Sequence, residues 1–418
     1  MFDRLFQRPR ALARHQNGPL AEDRRRFLAH SAEQQMCPMA LQNIARYTLI
    51  VAKALRLADR PGELITKNEI EIEAERWANR QPKPRMMRHF HHARRNFIGH
   101  ALRWLRFLGR LQPSVAVQRP YAEHIAEFAD YVVQERGLSP LTVRYRSRTI
   151  HQLLARIEEA GLRLKTLTIV QMDDLLAKQI RQEKYARSTI QTWVSVLRTF
   201  FRFAEQRGWC HQGLAAAIMA PRVFTDASLP VGLSWDNVQQ LLAAAERGRP
   251  VDIRDRALLR LLAVYGLRAG EVTALCLHDF DWEREILSVP HGKSQRPRTY
   301  PLCRPVGDAV LRYLREVRPQ SDRREVFLTV LAPFRPLTAN ALGEIVGRRL
   351  HALGLTLPHY GPHMLRHACA THLLAQGLSL KEIGDHLGHV SPDTTRIYAK
   401  VDVVALRTVA DFSLEDLL

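Results

Sequence analysis

Apolar residues recur at three- and four-residue intervals along most of this chain, so the dominant expected element is the amphipathic α-helix. Residues 39–57 follow that period, and Thr66-Lys-Asn-Glu69 has the form of a capping box opening a helix through Trp77 and Ala78. From residue 85 to 110, Phe90, Phe97, Trp104 and Phe107 interleave with seven arginines and no acid, which predicts an amphipathic helix or helix pair. Residues 123–135 read as a helix stopped at Gly137, and Ser139-Pro-Leu-Thr142 starts another that carries Arg144, Arg146 and Arg148. The clearest stripe is Trp193, Val196, Leu197, Phe200, Phe201 and Phe203, within a helix over 189–206. The pattern changes near 280–303. There Ile286-Leu-Ser-Val289 and Arg298-Thr-Tyr-Pro-Leu302 flank a turn and predict a small antiparallel sheet.

The breaks in this pattern divide the chain into three. Residues 1–112 form a helical extension, basic toward its end; residues 119–222 form a domain of four or five helices. A turn-rich stretch over 225–234 then leads into a helix over 235–245 and a mostly helical domain spanning 229–418. The expected fold class is mainly α and multidomain, with one small antiparallel β-sheet.

The candidate chemistry lies in the last third. Tyr265-Gly-Leu-Arg-Ala-Gly-Glu271 puts Arg268 after a turn glycine at a helix start, with Glu271 three positions on. Gly361-Pro362 opens a helix on which His363 and Arg366, three apart, share one face. Leu387-Gly-His389 is a glycine turn, after which Ser391 reads as an N-cap and Pro392 as the first position of a helix carrying Tyr398. Lys293 falls in the turn between the two strands. Three cations, two imidazoles and a phenol suit metal-free attack on a phosphodiester. The pentavalent phosphorane gains negative charge that arginine forks can hold. A phenol of pKa ~10 needs cationic neighbours or a base to attack at neutral pH, and the leaving sugar oxygen needs a proton donor. Each residue alone has a plainer reading: a solvated arginine, a turn lysine, a half-buried helix tyrosine. Only their conjunction points to chemistry. His367 and His372 read as helix-packing or hydrogen-bonding groups, although His367 completes the His363-Met-Leu-Arg-His367 string.

These strings resemble the tyrosine recombinase (phage integrase) family, whose pattern is G-L-R-x-x-E, a hairpin lysine, H-x-L-R-H, L-G-H and a nearby tyrosine. All six positions are present in order, and the resemblance covers about residues 119–410. It implies that Tyr398 attacks the scissile phosphate to form a 3′-phosphotyrosyl link. It implies that Arg268 and Arg366 clamp the non-bridging oxygens, Lys293 protonates the leaving 5′ oxygen, His363 acts as acid/base and His389 donates to the phosphate. Glu271 would orient this cluster. No metal, ATP or other cofactor is implied. By the same resemblance, residues 119–222 are a core-binding domain that, with the catalytic domain, clamps duplex DNA. The partners would be double-stranded recombination sites, in a homo-tetramer on DNA or an assembly with related recombinases. The tail, with Leu406, Val409, Phe412, Leu414 and Leu417, would dock on a neighbour.

Composition is consistent with a polyanionic partner: 62 Lys+Arg against 42 Asp+Glu give a formal net charge of +20. Arg144, Arg146 and Arg148 in the second domain, and Arg88, Arg94, Arg95 and Arg103 in the extension, are candidate DNA contacts. His89, His91 and His92 lack an accompanying Cys or carboxylate, so no metal site is expected. No stretch reaches the ~18 apolar residues of a membrane span, and the start of the chain lacks a signal-peptide core. The five cysteines include no C-x-x-C pair, so a reduced, cytoplasmic and nucleoid-associated protein is expected. The expected function is site-specific recombination, with the extension leaning toward a mobile element and transposition. The alternative is type IB topoisomerase-like cleavage and religation without synapsis.

Overall fold

The computed structural model describes residues 1–80, 90–113, 121–183, 185–220, 233–290, 297–389, 391 and 393–398. It is mainly helical, with a single small antiparallel sheet among these residues. Two compact units emerge: Pro113–Ala227, and Met1–Gln112 grouped with Ser228–Leu418.

In residues 1–112 the 39–57 period folds as helix Pro38–Ala54. Thr66 and Glu69 make the reciprocal capping box that opens Lys67–Asn79. The arginine-rich stretch is one helix, Phe90–Phe107, rather than a pair. Its Phe97, Ala101, Trp104 and Leu105 are buried with Leu28, Val51 and Ile70. Arg110 does not join the cationic face. Its guanidinium donates to the carbonyls of Glu63 at 3.1 Å, Leu57 at 3.3 Å and Arg60, closing the loop between two helices.

Pro113–Ala227 contains helices Ala122–Gln134, Pro140–Glu159, Ile169–Glu183 and Arg187–Gln206, and the short Leu214–Ala217. Ser139 caps the second through the Thr142 amide, with Pro140 in the first turn. The predicted aromatic stripe is its core: Trp193, Leu197, Phe200, Phe201 and Phe203 close on Phe128, Val132 and Leu153. Burying each such side chain contributes roughly 1.5–3 kcal/mol.

In the C-terminal part, strands β1 (Phe280–Asp281), β2 (Ile286–Val289) and β3 (Arg298–Pro301) pair antiparallel in that order, with Leu287 opposite both Phe280 and Tyr300. Helix Pro250–Tyr265 runs through the core formed by Leu258, Leu262, Val310, Tyr313, Val346 and Leu365. Buried Asp252 and Asp255 both accept from Arg349, at 2.6 and 2.7 Å, which locks this helix to Ala339–His351. A smaller cluster of Cys369, Ala370, Ile383, Leu387 and Tyr398 completes the C-terminal helices. No described helix is long and apolar enough to cross a membrane.

Candidate active site

Two glycine turns bring the site together. Gly266 ends helix Pro250–Tyr265 at φ +58°, and a Cβ there would collide with Leu387 of the Leu-Gly-His turn. Gly388 ends helix Leu380–Leu387 at φ +66°, and a Cβ there would lie 2.7 Å from the Arg298 guanidinium. Both positions need glycine for backbone conformation and for space.

Arg268 occupies the N-cap of helix Ala269–Ala274, where its amide donates to Glu271 Oε2 at 2.8 Å and its Nη1 to Oε1 at 2.9 Å. Its Nη2 donates to the Gly388 carbonyl at 3.2 Å. Arg366, one turn into helix Pro362–Ala375, is 2% exposed. It donates from Nη1 to Gly266 O at 2.6 Å and from Nη2 to Leu387 O at 2.8 Å. The two guanidiniums therefore converge on consecutive carbonyls of one turn. His389, next along that turn, shares a 2.7 Å hydrogen bond between Nδ1 and Thr395 Oγ1. His363 lies edge-on to His367 with ring centroids 4.3 Å apart.

Tyr398 is 1% exposed, and its hydroxyl shares a 2.9 Å hydrogen bond with Nδ1 of His367. One expectation changes here. The last described helix, Asp393–Arg396, is a single turn, and Tyr398 follows it in a tight 3₁₀ turn rather than on the helix. The tyrosine's hydrogen-bond partner is His367, whose sequence reading as a packing or hydrogen-bonding group resolves to the second. Pro392, Lys293 and the tail from residue 399 lie outside the described residues.

The electrostatics follow from burial among cations. Burial pushes the Tyr398 phenol up to about 12, against the opposing pull of Arg366. Burial, then His363 and Arg366, push His367 down to about 4. Burial, then Arg366 and Arg268, do the same to His389. His363 is lowered by burial first and then by Arg366 and Arg268. Burial pushes Arg366 itself to about 10. Burial would raise Glu271, but the Arg268 amide and the Arg298 charge outweigh it and hold the carboxyl below its usual range. In this conformation the imidazoles are neutral and the phenol is protonated at neutral pH.

Arg298 was not anticipated as part of the site. From the start of β3 its Nη2 pairs with Glu271 Oε1 at 2.7 Å, while Nη1 donates to Leu387 O and Tyr300 Oη, each at 2.7 Å. Tyr300 in turn donates to the His386 carbonyl. This arginine ties the sheet to Glu271 and to the Leu-Gly-His turn. Its signal in the sequence was slight: an arginine opening the strand after the hairpin.

The other candidate residues lie elsewhere. Arg144 and Arg148 are exposed and Arg146 half-buried on Pro140–Glu159. Arg95 and Arg103 are exposed and Arg94 half-buried on Phe90–Phe107, while Arg88 lies outside the described residues. Among the described residues, no group of three or more His, Cys, Asp or Glu is arranged to hold a metal.

Residues 232–404 match the phage integrase family, and residues 125–208 match the phage integrase N-terminal SAM-like domain. Tyrosine recombinase XerC of Alcanivorax borkumensis (strain ATCC 700651 / DSM 11573 / NCIMB 13689 / SK2) is 35% identical over 289 residues, covering 68% of this chain and 91% of that protein. The fold is similar to XerH site-specific recombinase bound to palindromic difH substrate, with TM-score 0.53 and 19% identity over 72% of this chain and 91% of that one. It is also similar to a lambda integrase dimer bound to a COC′ core site, with TM-score 0.52 and 20% identity over 66% of this chain and 94% of that one. The chain belongs to the phage integrase family: it is a tyrosine-type site-specific recombinase.

Proposed function

We propose that this recombinase cuts and rejoins double-stranded DNA through a 3′-phosphotyrosyl intermediate on Tyr398. The observation that supports this best is the convergence of Arg268 and Arg366 on the carbonyls of Gly388 and Leu387, beside His389. Donors fixed before the reaction stabilise charge as it develops on the phosphorane, without reorganising. In the proposed step the Tyr398 oxygen bonds to phosphorus and the P–O5′ bond breaks. The 5′ oxygen takes its proton from Lys293. His363, the acid/base, takes the phenol proton of Tyr398 as the O–P bond forms and returns it when Tyr398 leaves. His389 donates to a phosphate oxygen, and Glu271 positions Arg268 and Arg298. The partner strand's 5′-hydroxyl then attacks the phosphotyrosine and releases Tyr398, so no external energy source enters the balance.

We further propose that residues 119–222 and 229–418 close on the duplex as a clamp, and that four subunits synapse two sites through their tails. The extension, residues 1–112, favours a mobile element as host. Sequencing the DNA that co-purifies with the protein tests this host assignment, and sites outside any mobile element would overturn it.

A nicked suicide duplex carrying the protein's own site, incubated in EDTA, tests the chemistry. An SDS-resistant adduct that disappears in Tyr398→Phe is expected; an adduct that persists in the variant removes Tyr398 as nucleophile. A 5′-bridging phosphorothioate, whose thiolate leaves unprotonated, should rescue Lys293→Ala. The topoisomerase-like alternative predicts religation without any strand exchange between two sites.

A further inference from the structure

The N-terminal extension holds a basic pocket to which neither the matched segments nor the proposed chemistry assigns a use. Its volume is about 980 Å³, and Arg4, Arg8, Arg14, Arg46 and Arg80 line it without a single Asp or Glu. All five arginines are exposed, and Arg4, Arg8 and Arg14 form no ion pair among the described residues.

A second tier of positive charge lies beneath. Arg24 is 0% exposed and donates to the carbonyls of His15, Gly18 and Pro19, with no carboxylate partner among the described residues. Carbonyls satisfy its N–H groups but leave its charge uncancelled. His15 and His100 line the same pocket as neutral rings, both pushed down to about 4, by burial first and by nearby arginines second.

The walls carry flat surfaces and amides as well as charge. Tyr47 and His100 stack at 4.6 Å and 9°. Arg80 lies over the Trp77 ring at 3.2 Å. Asn43 and Asn96 face the pocket with no hydrogen-bond partner among the described residues.

We propose that this pocket binds a nucleoside phosphate. Guanidinium forks match phosphate geometry, aromatic and guanidinium planes stack on bases, and carboxamides pair with base edges. Pockets that enclose small ligands run to roughly 300–1,000 Å³. A single nucleotide fits within such a space, whereas an intact duplex lies across a surface. The nucleotide comes either from a DNA single strand or from the free pool, and both present the same group. This inference does not depend on the assignment of Tyr398.

The test uses the full-length protein and a labelled single-stranded DNA dodecamer containing 5-iodo-deoxyuridine, cross-linked by light and mapped by peptide. Cross-links on the peptides containing Tyr47 or Trp77 are expected. Arg8→Glu/Arg14→Glu should weaken dodecamer binding by about tenfold or more and flatten its salt dependence by at least about 1.4, the value for two single-strand phosphate contacts. Arg25→Glu/Arg26→Glu, equal in charge change and exposed outside the pocket, should do far less. If dAMP displaces the dodecamer from these peptides, the free nucleotide is the ligand; if only longer strands do, the source is DNA. Inorganic phosphate displacing as well as dAMP overturns the nucleoside part. Cross-links mapped elsewhere, with equal losses in both double variants, overturn the site. Adduct formation by Arg8→Glu/Arg14→Glu on the suicide duplex reports separately on the Tyr398 chemistry.

Discussion

Arg24 and Arg366 are the same structural solution used at two places in the chain. Each is almost fully buried, each is pushed by burial to about 10, and each spends its N–H groups on main-chain carbonyls. Their surroundings differ. Around Arg366 the buried carboxylate of Glu271 is shared between Arg268 and Arg298, so the C-terminal cluster keeps an excess of cations in fixed positions. Around Arg24 no carboxylate pairs with the guanidinium among the described residues, and the arginines that line the adjoining pocket are exposed. A buried guanidinium held by carbonyls sustains a positive field in both cases. A neighbouring carboxylate locks the other arginines beside Arg366, whereas the residues lining the N-terminal pocket include no Asp or Glu.

The largest separation between the two should come from replacing each in turn. Arg366→Ala is expected to reduce suicide-substrate cleavage by ~10²–10³-fold, the loss typical of a fixed donor to transition-state charge, with half-site binding much less affected. Arg24→Met should leave cleavage per bound subunit near wild type. It should instead destabilise residues 1–112 by ~2–5 kcal/mol, because buried carbonyls lose their donor. Melting curves and single-turnover cleavage measured on both variants decide this. Equal effects on cleavage would mean that Arg24 and Arg366 do not serve separate ends.

Glu271→Gln sharpens the same contrast on a smaller scale. It removes the charge shared by Arg268 and Arg298 yet keeps the shape, so cleavage should fall ~10-fold or more, since misplaced groups lose catalytic advantage, while the N-terminal pocket is untouched. Unchanged cleavage would exclude Glu271 as the group that positions the arginines.

The pH response comes next in size. His367 and His389 sit at about 4 in the folded chain against ~6.5 when unfolded. Their contribution is fully present above about 6.5. It is lost as pH falls toward 4, because the unfolded or opened state takes up protons first. Hydrogen exchange of helix Leu380–Leu387, corrected for intrinsic rates, should therefore accelerate between pH 6.5 and 4.5. His367→Gln, which cannot titrate, should flatten part of that response. A flat response in the wild type would show that the two rings open independently of the fold.

How much of this was readable beforehand depends on sequence distance. Motifs whose partners lie close in sequence were legible: the Thr66–Glu69 capping box, the helix start at Ser139 and the hairpin strands all formed as expected. Arg298 was not legible because its partners lie far along the chain in both directions, at Glu271 and at Leu387. Arg24 sits in a run of charged residues, and nothing local separates the one that turns inward from Arg25 and Arg26, which pair with Glu22 and Asp23 on the surface. The helix expected to carry Tyr398 stops at Arg396. The phenol then turns into a small apolar cluster, a tertiary preference that local helix signals do not encode.

The smallest expected effect concerns the cationic face of helix Phe90–Phe107, where the comparison reduces to single arginines. Arg95 and Arg103 are exposed on the side away from Phe97, Trp104 and Leu105, whereas Arg110 is held by three carbonyls. If the exposed pair meets duplex phosphates, Arg95→Ala/Arg103→Ala should flatten the log–log salt dependence of binding by about 1.8, or ~0.9 per contact. Sequence preference should hold, because phosphate contacts position a protein without reading bases. Arg110→Ala should leave the slope alone and lower the melting temperature instead, since the loop carbonyls of Leu57, Arg60 and Glu63 lose their common donor. A slope unchanged by the double variant would remove this face from the DNA contacts. A slope changed by Arg110→Ala would mean that an arginine already satisfied by the fold still reaches phosphate.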